Sequence, residues 1–211
     1  STTSLSDGMN ATTVLGQTDL VSNGLGTSLR QMSGPSGLLW VRDFPNVDRL
    51  YVSDRGNSRV LVFRMDSAPS NGMDASAYLG VTGSPGATQT QLNAPDGLAW
   101  KSGPDGGTLY IADTQNNRII GHNNIGAFAS GKNADDVWGQ SGGYTANTGG
   151  SEQNKLQAPG GLEAINGTVF VADTQNSRIL LFDAGIVTDA LGHIGGGDAG
   201  AVFGAGAPGG N

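Results

Sequence analysis

Leu109-Tyr-Ile-Ala-Asp-Thr-Gln-Asn-Asn-Arg-Ile-Ile120 is the middle copy of a stretch that occurs three times in the chain. The other copies are Leu50-Tyr-Val-Ser-Asp-Arg-Gly-Asn-Ser-Arg-Val-Leu61 and Val169-Phe-Val-Ala-Asp-Thr-Gln-Asn-Ser-Arg-Ile-Leu180. Each copy joins two β-prone apolar runs through a polar turn that contains Asn, which is the composition of a β-hairpin. Asp54, Asp113 and Asp173 are 59 and 60 residues apart, so the hairpin is one part of a long repeat.

Two shorter elements recur with each hairpin. A Pro-x-Gly turn precedes it, where Pro starts the turn, Gly closes it and apolar residues begin a strand. These turns are Gly34-Pro-Ser-Gly-Leu-Leu-Trp40, Ala94-Pro-Asp-Gly-Leu-Ala-Trp100 and Ala158-Pro-Gly-Gly-Leu-Glu-Ala164. A short strand containing Gly follows it, at Ala77-Tyr-Leu-Gly-Val81, Asp136-Val-Trp-Gly-Gln140 and Asp189-Ala-Leu-Gly-His193, with one earlier copy at Thr12-Thr-Val-Leu-Gly-Gln17.

Four short strands joined by turns and repeated in this way indicate an all-β fold, a β-propeller of four-stranded antiparallel blades. The run Arg59-Val-Leu-Val-Phe63 is apolar at consecutive positions, as expected of a strand in a sheet that is packed on both faces. No stretch has a 3.6-residue apolar period, so no helix is predicted.

The succession Pro-x-Gly-Leu, Leu-Tyr-Val-x-Asp and Asn-x-Arg-Val/Ile-x-x-Phe resembles the NHL repeat, which is found in β-propellers. The resemblance covers residues 34–63, 94–120 and 158–182, with loops between repeats that are longer than usual for the family. It implies a propeller fold and a use in protein binding, in RNA binding or, less often, in lyase or hydrolase chemistry.

The repeat divides the chain into six segments. They are a loose N-terminal segment at 1–11, the outer strand of an incomplete blade at 12–17, blades at 34–81, 94–140 and 158–193, and a Gly-rich crossover toward a further blade at 194–211. Propellers close with about four to eight blades. We therefore expect either a larger propeller, of which this is a part, or several copies that associate into rings or a filament, with the extra strand added to a neighbouring sheet.

Composition excludes several function classes. The chain has 18 acidic and 11 basic residues, a net charge of −7, and no basic cluster, which argues against nucleic-acid binding. It has no Cys, so disulfides and thiolate metal sites are ruled out. No apolar run is long enough to span a membrane.

The start at Ser1 rather than Met indicates either removal of a leader or an excised fragment. An extracellular or secreted location is expected from the composition, which is rich in Ser, Thr, Asn and Gly and poor in charge. Asn10-Ala-Thr12 and Asn166-Gly-Thr168 fit the N-glycosylation pattern.

The polar residues of the repeated turn allow two interpretations. One is an acidic ring that binds Ca²⁺ through carboxylate and amide oxygens. The other is structural: Asp accepts turn N–H groups, Asn takes a left-handed conformation, and Arg pairs with Asp. We favour the structural interpretation, because a catalytic site breaks the symmetry of a repeat. The residues are Asp54, Asn57, Arg59, Asp113, Asn116, Arg118, Asp173, Asn176 and Arg178.

Other candidates occur once each. Glu163 replaces Leu39 and Ala99 on the innermost strand, where a carboxylate could ligate a channel metal or simply lie in channel water. His122 and His193 do not form the zinc constellation of NHL-type amidating lyases. Trp40, Trp100 and Trp138 lie at strand positions and are expected in the core.

We expect the long loops at 18–34, 82–94, 141–158 and 194–207 to share one face of the propeller with the hairpin turns. They form either a binding surface or solvated crossovers. The expected function is that of a non-enzymatic extracellular scaffold or binding module that needs no cofactor. Its expected partner is another protein or further copies of the same chain. The alternatives are a structural filament subunit and a metal-dependent lyase or lactone hydrolase centred on the channel.

Overall fold

The computed structural model describes residues 6–44, 47–103, 106–124, 129–141, 143–183 and 199–203. These residues form three antiparallel four-stranded sheets. The first sheet contains β1 (Pro35–Phe44), β2 (Val47–Asp54), β3 (Arg59–Arg64) and β4 (Ala77–Gly80). The second contains β5 (Pro95–Lys101), β6 (Thr108–Asp113), β7 (Arg118–Asn123) and β8 (Asp136–Trp138). The third contains β9 (Pro159–Ile165), β10 (Thr168–Asp173), β11 (Arg178–Asp183) and β12 (Ala199–Phe203).

Each sheet is a meander in which strands that follow one another in the sequence also pair in space. The second and third strands of each sheet are joined by one turn of 3-10 helix, at Arg55–Asn57, Thr114–Asn116 and Thr174–Asn176. A fourth short turn, Gly143–Thr145, follows β8. The prediction of an all-β chain is confirmed for the described residues.

The sheets match the predicted segments closely in the first two repeats. The third differs, because its predicted fourth strand at 189–193 lies outside the described residues, and the fourth strand of this sheet is β12 instead. Phe203 pairs with Ile179 as Trp138 pairs with Ile119, and the two strands share an apolar-aromatic ending. Residues 199–203, predicted within the Gly-rich crossover, therefore belong to a sheet.

Residues 12–17, predicted as an outer strand, are not in a strand. No described strand lies beside them to complete a ladder, and the backbone N–H of Val14 donates instead to the Asn71 side chain, 2.9 Å away. Leu15 still packs against the first sheet. Its place in the repeat corresponds to that of Leu79, which is buried between the first and second sheets.

Consecutive sheets pack face to face. One apolar cluster lies between the first and second sheets and includes Tyr51, Val60, Val62, Leu109, Ile111 and Ile120. Another lies between the second and third sheets and includes Tyr110, Ile119, Val169, Val171 and Leu180. Trp138 contributes to the second cluster, with ring centroids 4.6 Å from Tyr110 and 5.3 Å from Phe182. The middle sheet is thus buried on both faces, which explains the absence of polar alternation in its strands.

The first sheet has a different cover on its other face. Val52, Leu61 and Phe63 are buried there beneath Met32, Ala75 and neighbouring residues of the loops rather than beneath a sheet. This cover does not reach β1, where the Leu38 side chain is 67% exposed and Trp40 is 51% exposed. The prediction that Trp40 lies in the core is therefore wrong, whereas Trp100 and Trp138 pack against the two clusters between the sheets.

The first strands of neighbouring sheets approach each other at the Pro-x-Gly turns. A Cβ atom on Gly37 would lie 2.0 Å from the carbonyl oxygen of Asp96, and one on Gly97 would lie 2.2 Å from that of Gly160. Glycine is needed at both positions because any side chain would overlap the backbone of the next sheet. The equivalent Gly161 has no such neighbour: the nearest described atom, the Ala172 Cβ, is 4.0 Å away.

Replacing Gly97 with Ala should lower the free energy of unfolding by at least about 2 kcal/mol, because the new methyl group overlaps a backbone that cannot move alone. The matched control is Gly161→Ala, which should leave the denaturation midpoint of dilute protein almost unchanged. Urea denaturation followed by circular dichroism measures both. Equal midpoints for the two variants would contradict the close approach of the second and third sheets.

Candidate functional site

The repeated turn contains a buried ion pair in each sheet. The Arg Nε donates to the Asp Oδ2 at 2.7 Å in all three copies, Arg59 with Asp54, Arg118 with Asp113 and Arg178 with Asp173. The carboxylates are fully buried, and the arginine side chains are at most 7% exposed. Burial raises the pKa of Asp113, and the Arg118 guanidinium opposes this rise most strongly.

The Asn of each turn completes the shell around the carboxylate. Its amide donates to the Asp Oδ2 at 2.8 Å and also to the carbonyl of a loop glycine, at Gly26, Gly86 or Gly150. The expectation of a left-handed Asn is wrong. Asn57, Asn116 and Asn176 lie within the 3-10 turns, and the left-handed residue is the next one in each copy: Ser58, Asn117 and Ser177.

The same carboxylate also holds the long loop that precedes the sheet. Its Oδ1 accepts a backbone N–H at 2.6 Å from Ser33, Asn93 or Gln157. In return, the carbonyl of that loop residue accepts an N–H from the 3-10 turn, donated by Gly56, Gln115 or Gln175. The turn and the loop are therefore joined by reciprocal hydrogen bonds in every repeat.

Each arginine also donates to three backbone carbonyls, all in the preceding loop for Arg59 and Arg178, and two in the preceding loop and one in the following loop for Arg118. The Arg59 guanidinium donates to Thr27, Ser28 and Gln31. Arg118 donates to Thr88, Gln91 and Tyr144, and Arg178 donates to Ser151, Glu152 and Lys155. A guanidinium has five N–H donors, and this arrangement uses its fork to bind one carboxylate and several carbonyls at once.

Through these contacts the repeated residues hold the turns and the long loops to the sheets. The three carboxylates belong to different sheets, and each one already accepts its own Arg, Asn and backbone donors. Within the described part of the chain, no three His, Asp or Glu side chains come together in a group that could hold a metal ion. The structural interpretation accounts for the ion pairs and hydrogen bonds described above.

Replacing Arg118 with Met should destabilise the protein by about 3–5 kcal/mol, because the Asp113 carboxylate stays buried without its cation. The control is Arg64→Met, which removes a surface pair with Asp66 whose side chains are 50% and 44% exposed, and which should cost less than about 1 kcal/mol. Thermal and urea unfolding measure both effects. Similar losses in the two variants would contradict the role assigned to the buried pair.

Glu163 lies on β9, as expected from its place in the repeat. Its side chain is exposed, and its carboxylate accepts the backbone N–H of Ala164 at 3.2 Å. In the other sheets the same position is occupied by Leu39, packed against the first cluster, and by Ala99, which is buried. Glu163 is therefore on the face of the third sheet that points away from the second.

His122 occupies an apolar position. Phe63 and Phe182 lie at the same place in the other sheets, and like them His122 is buried, only 2% exposed. Neither of its ring nitrogens has a hydrogen-bond partner among the described residues. Burial lowers the pKa of His122 to about 4, with a further decrease from the Lys132 ammonium that Asp135 and the Asn133 backbone oppose. His193 lies outside the described residues.

The buried imidazole should make the protein acid-sensitive. Its pKa falls from 6.5 to about 4 on folding, so below pH 6.5 the unfolded chain binds a proton that the folded chain does not. Stability is therefore lost as the pH falls, by about 2 kcal/mol between roughly pH 7 and pH 5. His122→Phe should remove this component, as measured by urea denaturation at both pH values. An identical pH dependence in the variant would contradict the assignment.

The loop surface, defined by the described residues 18–34, 82–94, 141 and 143–158, carries exposed apolar side chains in its first loop. Val21 is 90% exposed and Leu25 is 75% exposed, and Leu20 beside them is half-exposed. A cleft of about 410 Å³ adjoins them, lined by polar residues that include Gln17, Ser22 and Arg30. Tyr144, by contrast, is partly buried and packs against the first cluster.

The two glycosylation candidates are accessible. Asn10 and Asn166 are both exposed. Asn166 lies in the two-residue turn between β9 and β10, with a positive φ of 50°, followed by Gly167 at 91°. Positive φ at both positions is typical of a type I′ hairpin.

Sequence reasoning missed the bonds between sheets. The Ser53 hydroxyl donates to the Asp96 carbonyl at 2.6 Å, and the Arg55 guanidinium pairs with the Asp96 carboxylate at 3.0 Å. The Thr114 hydroxyl donates to the Pro159 carbonyl at 2.8 Å. These donors lie at or next to the repeated Asp, and their targets lie in the Pro-x-Gly turn of the next sheet. The only sign of these bonds in the sequence is that the two motifs always recur together.

No protein-family model matches the chain, and no curated protein matches it. The similarity to the NHL repeat therefore rests on the residues of the three copies alone.

The described residues contain no helix long and apolar enough to cross a membrane.

Proposed function

We propose that the chain is a segment of an NHL-like β-propeller that serves as a non-enzymatic extracellular scaffold and binds protein surfaces. The observation that carries the proposal is the distribution of its side chains. The repeated polar residues are buried in bonds that hold turns and loops, whereas large apolar side chains are exposed on the loop surface and on the outermost sheets. Exposed apolar groups of this kind mark surfaces for protein interaction.

The propeller assignment is supported by the arrangement of the sheets. Three meanders of four strands pack face to face in chain order, with β1 next to β5 and β5 next to β9. This is the relation between consecutive blades of a propeller, whose first strands surround a central channel. The close approach at Gly37 and Gly97 follows from the same arrangement.

The choice of a protein partner is supported by charge and by the first loop. A net charge of −7 disfavours nucleic acid. Leu20, Val21 and Leu25 offer an apolar contact on a loop whose backbone is held in place at Gly26, Thr27 and Ser28 by the Asn57 and Arg59 side chains. A surface that is already ordered loses less entropy on binding than a flexible loop does.

The competing metal-dependent enzyme gives the sharpest test. If the chain is a scaffold, Ca²⁺ and Zn²⁺ at millimolar concentration should leave the melting temperature of the wild-type protein unchanged, because no site binds the folded state selectively. The Glu163→Gln variant should behave identically. Stabilisation of the wild type that Glu163→Gln abolishes would overturn the scaffold proposal in favour of a metal centre on the inner strand.

A further inference from the structure

The outward face of the third sheet repeats an interface that the first two sheets use. We define this face by Phe170, Ala172, Ile179 and Leu181, together with Gly161 and Thr174. In the first sheet the equivalent positions are Tyr51, Ser53, Val60 and Val62, and in the second they are Tyr110, Ala112, Ile119 and Gly121. All eight of those residues are buried, and all of them except Ser53 and Gly121 belong to the clusters shared with the next sheet. In the third sheet none of the four is buried, and Ile179 is 38% exposed.

Gly161 shows that this face keeps the features of an interface. Gly37 and Gly97 are required because the carbonyl of the next sheet lies within 2.2 Å of where a Cβ atom would be. Gly161 meets no comparable neighbour among the described residues, and its backbone does not have the positive φ that favours glycine. The position is therefore shaped for a backbone that the described residues do not supply.

In the part of the chain that the structure describes, Thr174 likewise lacks the partner in a next sheet that its equivalent in the second sheet has. Its hydroxyl bonds to the Ala172 carbonyl of its own sheet, as that of Thr114 bonds to Ala112. Thr114 also donates across to Pro159 of the next sheet, and it is buried. Among the described residues, Thr174 has no such second acceptor, and it is exposed.

The matching half of the interface is present on the first sheet. Its outward face is defined by Pro35, Ser36, Leu38 and Trp40, all of which are exposed. The equivalent residues of the other sheets face the preceding sheet, where Pro95, Pro159 and Leu98 are buried. Arg42, which pairs with Asp48 at 3.6 Å, extends this face with a side chain that is 83% exposed. The first sheet thus presents the Pro-x-Gly turn, whose carbonyls accept hydrogen bonds in such a contact. The third sheet presents Thr174, whose hydroxyl can donate one.

We propose that the outward face of the third sheet binds the outward face of the first sheet in a second copy of the chain. The contact repeats the one between the first and second sheets. Gly161 lies against the Ser36 carbonyl of the second copy, and the Thr174 hydroxyl donates to its Pro35 or Ser36 carbonyl. The inference rests on the scaffold function and names its partner. Because the two surfaces differ, the association is head-to-tail, and it closes into a ring or continues as a filament according to the rotation between copies.

The chain contains no Cys, so single substitutions to Cys report on defined positions. Thr174 and Ser36 correspond to Arg55 and Asp96, whose side chains touch at 3.0 Å. A mixture of Thr174→Cys and Ser36→Cys chains treated with a short bismaleimide should give covalent dimers. Each variant alone should give none, because identical positions do not meet in a head-to-tail contact. Dimers from Thr174→Cys alone, or equal yields in all three samples, would overturn the proposal.

Light scattering on a sizing column supplies the second measurement. The wild-type chain should exceed its monomer mass of 21.4 kDa, and Gly161→Ala should weaken the association roughly tenfold or more while melting normally as a dilute monomer. A wild type that stays monomeric, or a Gly161→Ala variant that associates unchanged, would refute the docking contact. Neither result affects the scaffold function, which the metal experiment decides separately.

Discussion

The buried pair of Asp and Arg is the interaction on which each repeat depends. Taking a carboxylate and a guanidinium out of water is costly, and the cost is offset only when nearly all their hydrogen-bonding capacity is satisfied. Each repeat meets this condition by arranging one loop, one 3-10 turn and two strands around the pair. The pair therefore contributes geometric definition more than net stability, since it fixes where a long Gly-rich loop must lie relative to its sheet.

This constraint explains how a chain with 36 glycines keeps a defined structure. The loops contain few large side chains, so packing alone would not order them. Their carbonyls are instead bound by arginines from within the sheets, as at Ser28 with Arg59 and at Thr88 with Arg118. The ends of the loops then place the Pro-x-Gly turns, and these turns set the distance at which one sheet meets the next.

Much of this architecture could be predicted from sequence because its determinants are local and repeated. The hairpins, the Pro-x-Gly turns and the pairing of Arg with Asp all follow from residue types at fixed spacing. What could not be predicted depends on neighbours in space. Trp40 matches Trp100 in sequence, but no sheet of the described part of the chain packs against it. The left-handed residue after Asn116 is Asn117, which local propensity does not distinguish from it. The fourth strand of the third sheet is Ala199–Phe203, which sequence does not distinguish from the other Gly-containing elements that follow Phe182.

Hydrogen exchange at three backbone amides tests the central claim most directly. Ser33, Asn93 and Gln157 lie in loops, yet each donates its N–H to a buried carboxylate at 2.6 Å. If the buried pairs organise the repeats, these amides should exchange as slowly as those of the strands, well below the rate of neighbouring loop amides. Exchange at the rate of the surrounding loop would show that the loops are not held by the pairs, and the account of the fold given above would then be wrong.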